Sequence, residues 1–246
     1  VNVDRDQSGD RFFSGFEPSL HSCFADEALS MKLIEKELLN LEKCFLRTQY
    51  LVTGTNVLSS SISAETIFFL LEQAKKSEVK VVIDLNWREV FWDYSNFASD
   101  TSKKGRINLI KKFLNHAHVI KLAKEEATLF FEIENPSLIS QQMSKRPDVI
   151  ITDGKNPVSW HINGFQGNTK IPKSQKIVDT TGAGDAFLAG LISEFISFGY
   201  PKSELEIQAC VRFASACGLL TCHGEGAIEP QPDYEKVSKF LGSLIT

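Results

Sequence analysis

Short apolar segments alternate with helical ones along this chain, and that alternation limits the folds it can adopt. The segment VKVVIDL at 79–85 is β-branched and apolar, which is typical of a strand buried on both faces of a sheet. Further strands are predicted at 50–52, 119–120 and 149–151, and helices at 28–46, 64–76, 108–115 and 124–131. The alternation predicts an α/β fold, a mostly parallel sheet with helices on both faces.

The two ends of the chain extend this pattern. A small hairpin is predicted to start at 158–162, and three closing helices are predicted at 186–198, 203–220 and 234–244. Residues 1–25 are polar and contain glycine, which indicates short strands or an extended flap. No internal repeat, low-complexity tract or linker divides the sequence, so we expect a single domain over residues 1–246.

The charge of the chain narrows the classes of partner. A net charge of −4 does not favour nucleic acid or an anionic membrane, so a phosphorylated ligand needs a local positive site. No apolar run is long enough to cross a bilayer, and no signal segment opens the sequence. We therefore expect no nucleic acid and no membrane partner, and a cytoplasmic address, with an organelle such as a plastid left open.

The cysteines indicate a reducing compartment. They are odd in number, form no CxxC pair and have no zinc-ligand spacing. Three of them fall on one apolar segment near the C-terminus. We therefore expect no zinc site and reduced core thiols at Cys23, Cys44, Cys210, Cys217 and Cys222.

The glycine-rich stretch VDTTGAGDAF at 178–187 carries the clearest chemical signal. A strand-like Lys176–Val178 precedes it and an apolar helix follows. Gly182 and Gly184 at a helix start let the backbone approach a ligand closely, and free amides at a helix N-terminus form an anion site. Asp185 falls in the first helical turn, where a carboxylate can take a proton from an attacking hydroxyl. The competing interpretation is that Asp185 only caps the helix.

Two other phosphate-binding motifs do not fit this stretch. A Walker loop needs a Lys after its last glycine, and none follows here. A dinucleotide fingerprint needs a third small residue, but Phe187 stands in its place, and such motifs usually open the first βαβ unit. A nicotinamide-dependent oxidoreductase, which would use such a turn for pyrophosphate, is therefore kept only as the last of the hypotheses about function.

The segment Asp179–Phe187 resembles the C-terminal signature of the pfkB, or ribokinase-like, carbohydrate kinases, with their pattern D-T-x-G-A-G-D-x-F. The resemblance implies a ribokinase-like fold and an ATP-dependent sugar kinase. It implies that Asp185 is the catalytic base and that the amides of Gly182, Ala183 and Gly184 form an anion hole. It also implies a bound Mg²⁺ and, around Asp179 and Thr181, a potassium ion.

A second segment resembles a sequence element of two sugar-specific groups within this family. Asp84, Asn86, Arg88 and Trp92 fit the D-x-N-x-R-x-x-x-W element of fructokinases and 2-keto-3-deoxygluconate kinases, at the carboxyl end of a predicted strand. The resemblance implies that Asn86 and Arg88 bind the sugar, with fructose as first choice and 2-keto-3-deoxygluconate, ribose or a nucleoside left open. The competing interpretation is that Arg88 pairs with an acid and the tryptophans pack in the core.

Matches to the magnesium and nucleotide elements of the family are less complete. Glu126 fits the Glu of the N-x-x-E element and would act on Mg²⁺ indirectly, but Ala123 replaces the usual Asn or Ser. Thr152 and Gly154 fit the T-x-G turn near the nucleotide, although Pro157 stands where a second glycine is usual.

Closing segments also match the family. The resemblance implies nucleotide contacts at Thr181, and at Ser215 and Gly226 in the segment that flanks the adenine. Residues 10–26 resemble the lid of the family, whose members normally begin with a further segment that includes a first strand. We therefore expect an N-terminally incomplete kinase domain with a lid-like segment at 1–25, and a homodimer. Ala123, Pro157 and the shorter N-terminus motivate the second hypothesis, an inactive relative that serves as a binding or assembly scaffold.

Overall fold

A computed structural model describes residues 2–5, 11–15, 29–92, 102–173 and 177–243. The chain forms two compact units. Unit 1 comprises Val1–Glu132 and Gln141–Pro147, and unit 2 comprises Ile133–Ser140 and Asp148–Thr246. The expectation of a single kinase domain over residues 1–246 stays a prediction.

The centre of unit 1 is a parallel arrangement of three strands, β3 (Tyr50–Gly54), β4 (Lys80–Asp84) and β5 (Val119–Ala123). β4 pairs with both of the others, and Asp84 lies beside Lys121 in the register. Four of the five residues of β4 and of β5 are buried, which is the burial expected of parallel strands covered on both faces. The predicted strands at 50–52, 79–85 and 119–120 are therefore confirmed, with small changes of boundary.

Helices connect these strands, as the alternation predicts. The described helices of unit 1 are α1 (Met31–Lys36), α2 (Leu38–Phe45), α3 (Ser61–Lys76), α4 (Glu89–Trp92), α5 (Lys103–Leu114) and α6 (Lys124–Phe131), with a short 3₁₀ turn at Thr55–Ser59. α6 has the predicted bounds. The single helix predicted at 28–46 is wrong in one respect, because Glu37 leaves the helical conformation (φ −104°, ψ 12°) and separates α1 from α2.

The N-terminal segment contains two antiparallel strands, β1 (Asn2–Arg5) and β2 (Arg11–Gly15). The prediction of short strands in this segment is thus confirmed for these ranges. The rest of the lid-like segment, including Cys23, lies outside the described residues. The homodimer stays a prediction.

Unit 2 combines an antiparallel sheet with apolar helices. The strands are β6 (Asp148–Thr152), β7 (Val158–Ile162) and β8 (Phe165–Thr169), and the described helices are α7 (Pro136–Gln141, of which 136–140 belong to this unit), α8 (Ala183–Phe198), α9 (Glu204–Thr221) and α10 (Tyr234–Ser243). The hairpin β7–β8 and the three closing helices agree with the predictions, except that Leu244 lies outside the described residues.

The segment before the glycine-rich turn differs from its prediction. Ile177 and Val178 are not in a strand and are 53% and 39% exposed. The amide of Val178 donates to the carbonyl of Cys222 (2.8 Å), which is a residue outside any strand. Lys176 lies outside the described residues. A β-branched, apolar pair indicates a strand only when a neighbouring strand edge accepts it.

Three of the cysteines are core thiols, as predicted. Cys210, Cys217 and Cys222 are buried and free, and burial raises the pKa of Cys210 and of Cys217 to about 11. Thiols with so high a pKa stay protonated and unreactive at neutral pH. The prediction is wrong for Cys44, which is exposed on α2 because its side of that short helix is not covered.

The core of unit 2 also contains a carboxylate. Glu194, in the middle of α8, is 7% exposed, and its Oε1 atom has no hydrogen-bond partner among the residues that the structure describes. Burial raises the pKa of Glu194. A buried charged oxygen without a donor destabilises the folded state.

Replacing Glu194 by Gln is expected to raise the free energy of unfolding at pH 7 by about 1 kcal/mol. Because the pKa of Glu194 is higher in the folded than in the unfolded chain, its ionised form destabilises the fold above the folded pKa. The gain should therefore disappear as the pH falls to 4 and below. Urea denaturation at both pH values measures it, with Glu229→Gln on the exposed loop as the matched control. A gain that is the same at both pH values would contradict this account.

Within the parts of the chain that the structure describes, no helix is both long and apolar enough to cross a membrane.

Candidate functional site

The glycine-rich turn is held in a conformation that favours glycine. Gly182 is buried, has φ +77° and forms the N-cap of α8. A Cβ atom at this position would lie 3.0 Å from the backbone and side chain of Ala227, so a larger residue would be strained and crowded. Gly218 of α9 also packs closely here, because a Cβ on it would lie 2.8 Å from the Ala183 carbonyl. The turn is thus fixed between α9 and the loop at 226–227.

Asp179 ties the turn to that loop. Its Oδ1 atom accepts hydrogen bonds from the amide (2.9 Å) and the hydroxyl (2.6 Å) of Thr181. Its Oδ2 atom accepts one from the amide of Gly226 (3.0 Å), a residue with φ +80°. The structure therefore brings together three of the predicted site residues. Both oxygens of Asp179 thus hold the turn against the loop, and the potassium ion predicted here stays a prediction.

Asp185 is exposed in the first turn of α8. No hydrogen bond links its carboxylate to another described residue, and the first turn is closed by the amide of Ala186, which donates to the Gly182 carbonyl (2.8 Å). The position of Asp185 in the first turn is as predicted, whereas a capping bond from its side chain is absent from the described structure. The aspartate is therefore available to a ligand.

The backbone amides at this helix start are partly engaged. The amide of Ala183 donates to the carbonyl of Thr180 (3.3 Å) within the turn. The amides of Gly184 and Asp185 belong to the first turn, whose N–H groups have no acceptor inside a helix, and the helix dipole adds positive potential there. The arrangement can hold an anion beside the carboxylate of Asp185.

A buried ion pair joins the last residue of β4 to the middle of β5. The Nζ atom of Lys121 contacts Oδ2 (2.9 Å) and Oδ1 (3.2 Å) of Asp84, and both residues are at most 7% exposed. The pairing follows from the register, which sets the two residues side by side on parallel strands. Sequence reasoning gave Lys121 no role, although a lysine within the apolar strand VIKLA was a usable signal, because lysine is seldom fully buried without a partner.

The predicted sugar-binding residues Asn86 and Arg88 lie on the loop that follows β4. Asn86 has φ +42°, the left-handed region that few non-glycine residues adopt. The Nη1 atom of Arg88 donates to the carbonyl of Trp87 (2.8 Å). The rings of Trp87 and Trp92 lie 5.2 Å apart; Trp92 packs fully buried in the core, whereas Trp87 is half-buried.

Glu126 is buried at the start of α6, and both of its oxygens accept backbone hydrogen bonds. Oε2 accepts from the amide of Ala123 (2.7 Å), and Oε1 accepts from the amide of Trp87 (2.6 Å). Burial raises the pKa of Glu126, while the two amide bonds and the charge of Lys121 oppose that shift. Within the described residues no group of three or more His, Cys, Asp or Glu side chains could hold a metal ion. An indirect role for Glu126 toward Mg²⁺ stays a prediction.

The remaining nucleotide predictions fall on two elements of unit 2. Thr152 ends β6, and Gly154 (φ +50°) lies in the turn that the amide of Asn156 closes by donating to the Asp153 carbonyl (2.8 Å). A turn therefore forms here in spite of Pro157. Ser215 is buried in α9, where its hydroxyl donates to the carbonyl of Val211 (2.7 Å), so that hydroxyl is already used within the helix. A nucleotide contact of Ser215 stays a prediction.

A small cleft of about 100 Å³ lies beside the aromatic cluster of unit 1. Its lining residues are Trp87, Glu89, Lys103, Arg106, Ile107, Leu129 and Phe130. Asn86 and Arg88 do not line it, but Trp87 and Glu89, the chain neighbours of Arg88, do.

Comparison with known proteins agrees with the motifs. A family model described as pfkB family carbohydrate kinase matches residues 21–234. The probable fructokinase-7 of Arabidopsis thaliana is 32% identical over 141 residues, which are 54% of this chain and 40% of that protein. The fructokinase of Vibrio alginolyticus is 26% identical over 250 residues, which are 98% of this chain and 73% of that protein. The chain thus spans less than half of the plant relative.

A solved structure shares the fold. The crystal structure of fructokinase with bound ATP from Xylella fastidiosa superposes with a TM-score of 0.78 at 22% identity, over 99% of this chain and 74% of that one. The predicted ribokinase-like α/β fold is confirmed by this match. The site residues, in contrast, stay predictions.

Proposed function

The chain belongs to the pfkB family of carbohydrate kinases, and from that premise we propose that it transfers the γ-phosphate of ATP to a hydroxyl group of a sugar. One observation carries the proposal. The family signature at Asp179–Phe187 forms a tight turn that opens a 16-residue helix. Asp185 lies exposed in the first turn of that helix, and its carboxylate has no hydrogen bond to another described residue. A carboxylate beside helix N-terminal amides supplies both a proton acceptor and an anion site.

In this mechanism Asp185 takes the proton of the attacking sugar hydroxyl. The oxygen then bonds to the γ-phosphorus while the bond from that phosphorus to the β-γ bridging oxygen breaks, so that ADP leaves. The amides of Gly182 and Gly184 stabilise the charge on the transferred phosphoryl group, and the amide of Ala183 joins them when its bond to the Thr180 carbonyl opens. Phosphoryl transfer depends mainly on such positioning and charge stabilisation.

Two cations complete the proposal. A bound Mg²⁺ would neutralise charge on the phosphates, with Glu126 acting on it indirectly. Asp179 would hold a potassium ion and, through Thr181 and Gly226, keep the turn in shape. Thr152, Gly154 and Ser215 stay predicted nucleotide contacts.

We propose fructose as the first choice of sugar. The D-x-N-x-R-x-x-x-W element at 84–92 supports this choice, as do the relatives, which are named fructokinases. Asn86 would donate and accept hydrogen bonds to sugar hydroxyls. Arg88 would donate hydrogen bonds to the oxygens of fructose, or would pair with the carboxylate if the sugar is 2-keto-3-deoxygluconate.

A coupled assay of ADP release tests the proposal. The protein is supplied with ATP, Mg²⁺ and K⁺ and with fructose, 2-keto-3-deoxygluconate, ribose or a nucleoside. We expect turnover with fructose first. Turnover without any sugar, or none with the whole panel despite ATP binding, would contradict the proposed function.

A second candidate function, an inactive scaffold, is favoured by Ala123. This residue offers no side-chain oxygen where the family carries Asn or Ser, so a polar contact to metal-bound water or phosphate is missing. Calorimetry that detects ATP binding in a protein without turnover would favour this candidate. Restoration of turnover by Ala123→Asn would then assign the loss to this position.

A further inference from the structure

The geometry points to another task for Glu126. We propose that its carboxylate positions the sugar-side loop, defined here as residues 85–88. The inference rests on the proposed function, because it takes Asn86 and Arg88 of that loop as the sugar-binding residues.

The contacts of Glu126 join two segments that are far apart in sequence. Oε2 accepts from the amide of Ala123 at the start of its own helix, and Oε1 accepts from the amide of Trp87, 39 positions away. Both distances, 2.7 and 2.6 Å, are in the short range of hydrogen bonds to a charged acceptor. The carboxylate therefore fixes the loop to the N-terminus of α6.

The loop needs such fixing because it contains a strained residue. Asn86 has φ +42°, and strain of this kind persists where neighbouring contacts impose it. On one side, the amide of Leu85 donates to the Lys121 carbonyl (2.9 Å) and the Leu85 carbonyl accepts from the Thr55 hydroxyl. On the other side, the amide of Trp87 donates to Glu126. The described bonds thus anchor both neighbours of Asn86.

Trp87 in turn holds the side chain of Arg88. Its carbonyl accepts the hydrogen bond from the Arg88 guanidinium, and its ring packs against Phe130, with the ring centres 5.3 Å apart. Asn86 and Arg88 flank Trp87 directly in the chain. Release of the Trp87 amide should therefore move the two side chains that the sugar would contact.

A carboxylate is needed for this arrangement because the two donors approach different oxygens. Gln has a single carbonyl oxygen, and its NH₂ group would face one of the two amides. Asp keeps the charge but is shorter by one methylene group, so it should not span both segments. Both substitutions at Glu126 therefore loosen the loop, for different reasons.

The test compares Glu126→Gln with Glu125→Gln, a change at the exposed neighbour on the same helix. Two-dimensional NMR of the full chain measures amide exchange at Trp87, and the coupled assay measures the KM for the sugar and the half-saturating Mg²⁺ concentration. We expect exchange at Trp87 to be faster by about tenfold in Glu126→Gln, on the scale of one lost hydrogen bond to a charged group. We expect the KM for the sugar to rise by a similar factor and the control to match the wild type.

Three results would overturn the proposal. One is unchanged exchange at Trp87. Another is faster exchange with an unchanged KM for the sugar. The last is a shift in half-saturating Mg²⁺ alone, which would leave Glu126 only its metal-linked role. If Glu126→Gln does not fold, Glu126→Asp is judged by the same criteria.

The proposed function can fail separately from this inference. A wild-type protein that phosphorylates no sugar refutes the kinase proposal. The rate of amide hydrogen exchange at Trp87, compared between Glu126→Gln and the wild type, then decides by itself whether Glu126 fixes the loop.

Discussion

Replacing Asp185 by Asn is expected to lower kcat by a factor of about 10² to 10⁴, the usual contribution of a general base. Asn keeps the size of the side chain and its place in the first turn of α8, but it cannot accept the proton of the attacking hydroxyl. ATP binding should be unchanged or tighter, because a negative charge near the phosphates is removed. Steady-state kinetics with fructose and calorimetry with ATP measure the two effects.

Asp233 offers a matched control for this substitution. It precedes α10, where its Oδ1 atom accepts a hydrogen bond from the amide of Lys236 (2.8 Å). Asn is as good a residue as Asp at such a capping position, so Asp233→Asn should keep the wild-type rate and stability. If Asp185→Asn kept most of the wild-type rate, Asp185 would not be the base. If it lost ATP binding as well, its role would be structural.

The sequence predicted the regular elements of the central region because local composition decides them. β4 is a β-branched run buried on nearly every residue, and α6 begins after Ala123 with acidic residues in its first turn, which suit a helix N-terminus. The turn before α8 was predictable for the same reason, since a left-handed Gly182 and a helix start leave few alternatives.

Elements that depend on partners could not be predicted in this way. The apolar spacing at 28–46 continues through Glu37, yet of the residues on that stripe only Ile34 and Phe45 are buried. Periodicity reports which residues could face a core, and it does not report whether the helix is continuous. Ile177 and Val178 have the composition of a strand but find no strand edge in the described structure.

The contacts that shape the candidate site also join residues that are far apart in the sequence. Asp179 bonds to Gly226 over 47 positions, and Glu126 bonds to Trp87 over 39. Family resemblance assigned Asp179 and Glu126 to cations, whereas the structure gives their oxygens backbone donors as well. Such contacts follow from strand order and helix packing, which a single sequence does not specify. Proposals for these carboxylates therefore need tests that separate the shaping of a loop from the binding of a metal.

Replacing Lys121 by Met is expected to lower the free energy of unfolding by about 3–5 kcal/mol, the usual cost of breaking a buried ion pair from one side. The substitution removes the Lys121 ammonium from the Asp84 carboxylate, which is 6% exposed and lies near the buried Glu126. A loss of this size is a large part of the stability of an ordinary domain. Urea denaturation at pH 7 measures it, with Lys76→Met on the exposed end of α3 as the control.

The double substitution Asp84→Asn with Lys121→Met separates charge from packing. If the cost arises from an uncompensated charge, neutralising Asp84 should restore most of the stability that Lys121→Met removes, and the two changes should be strongly non-additive. If the cost arises from lost packing of the lysine stem, the double variant should be no more stable than the single one. Asp84 ends β4 directly before the sugar-side loop, and Lys121 lies three residues before the start of α6. If Lys121→Met also raises the KM for the sugar, the first outcome predicts that the double variant lowers it again. A loss no greater than that of Lys76→Met would show that the pair contributes little to the fold.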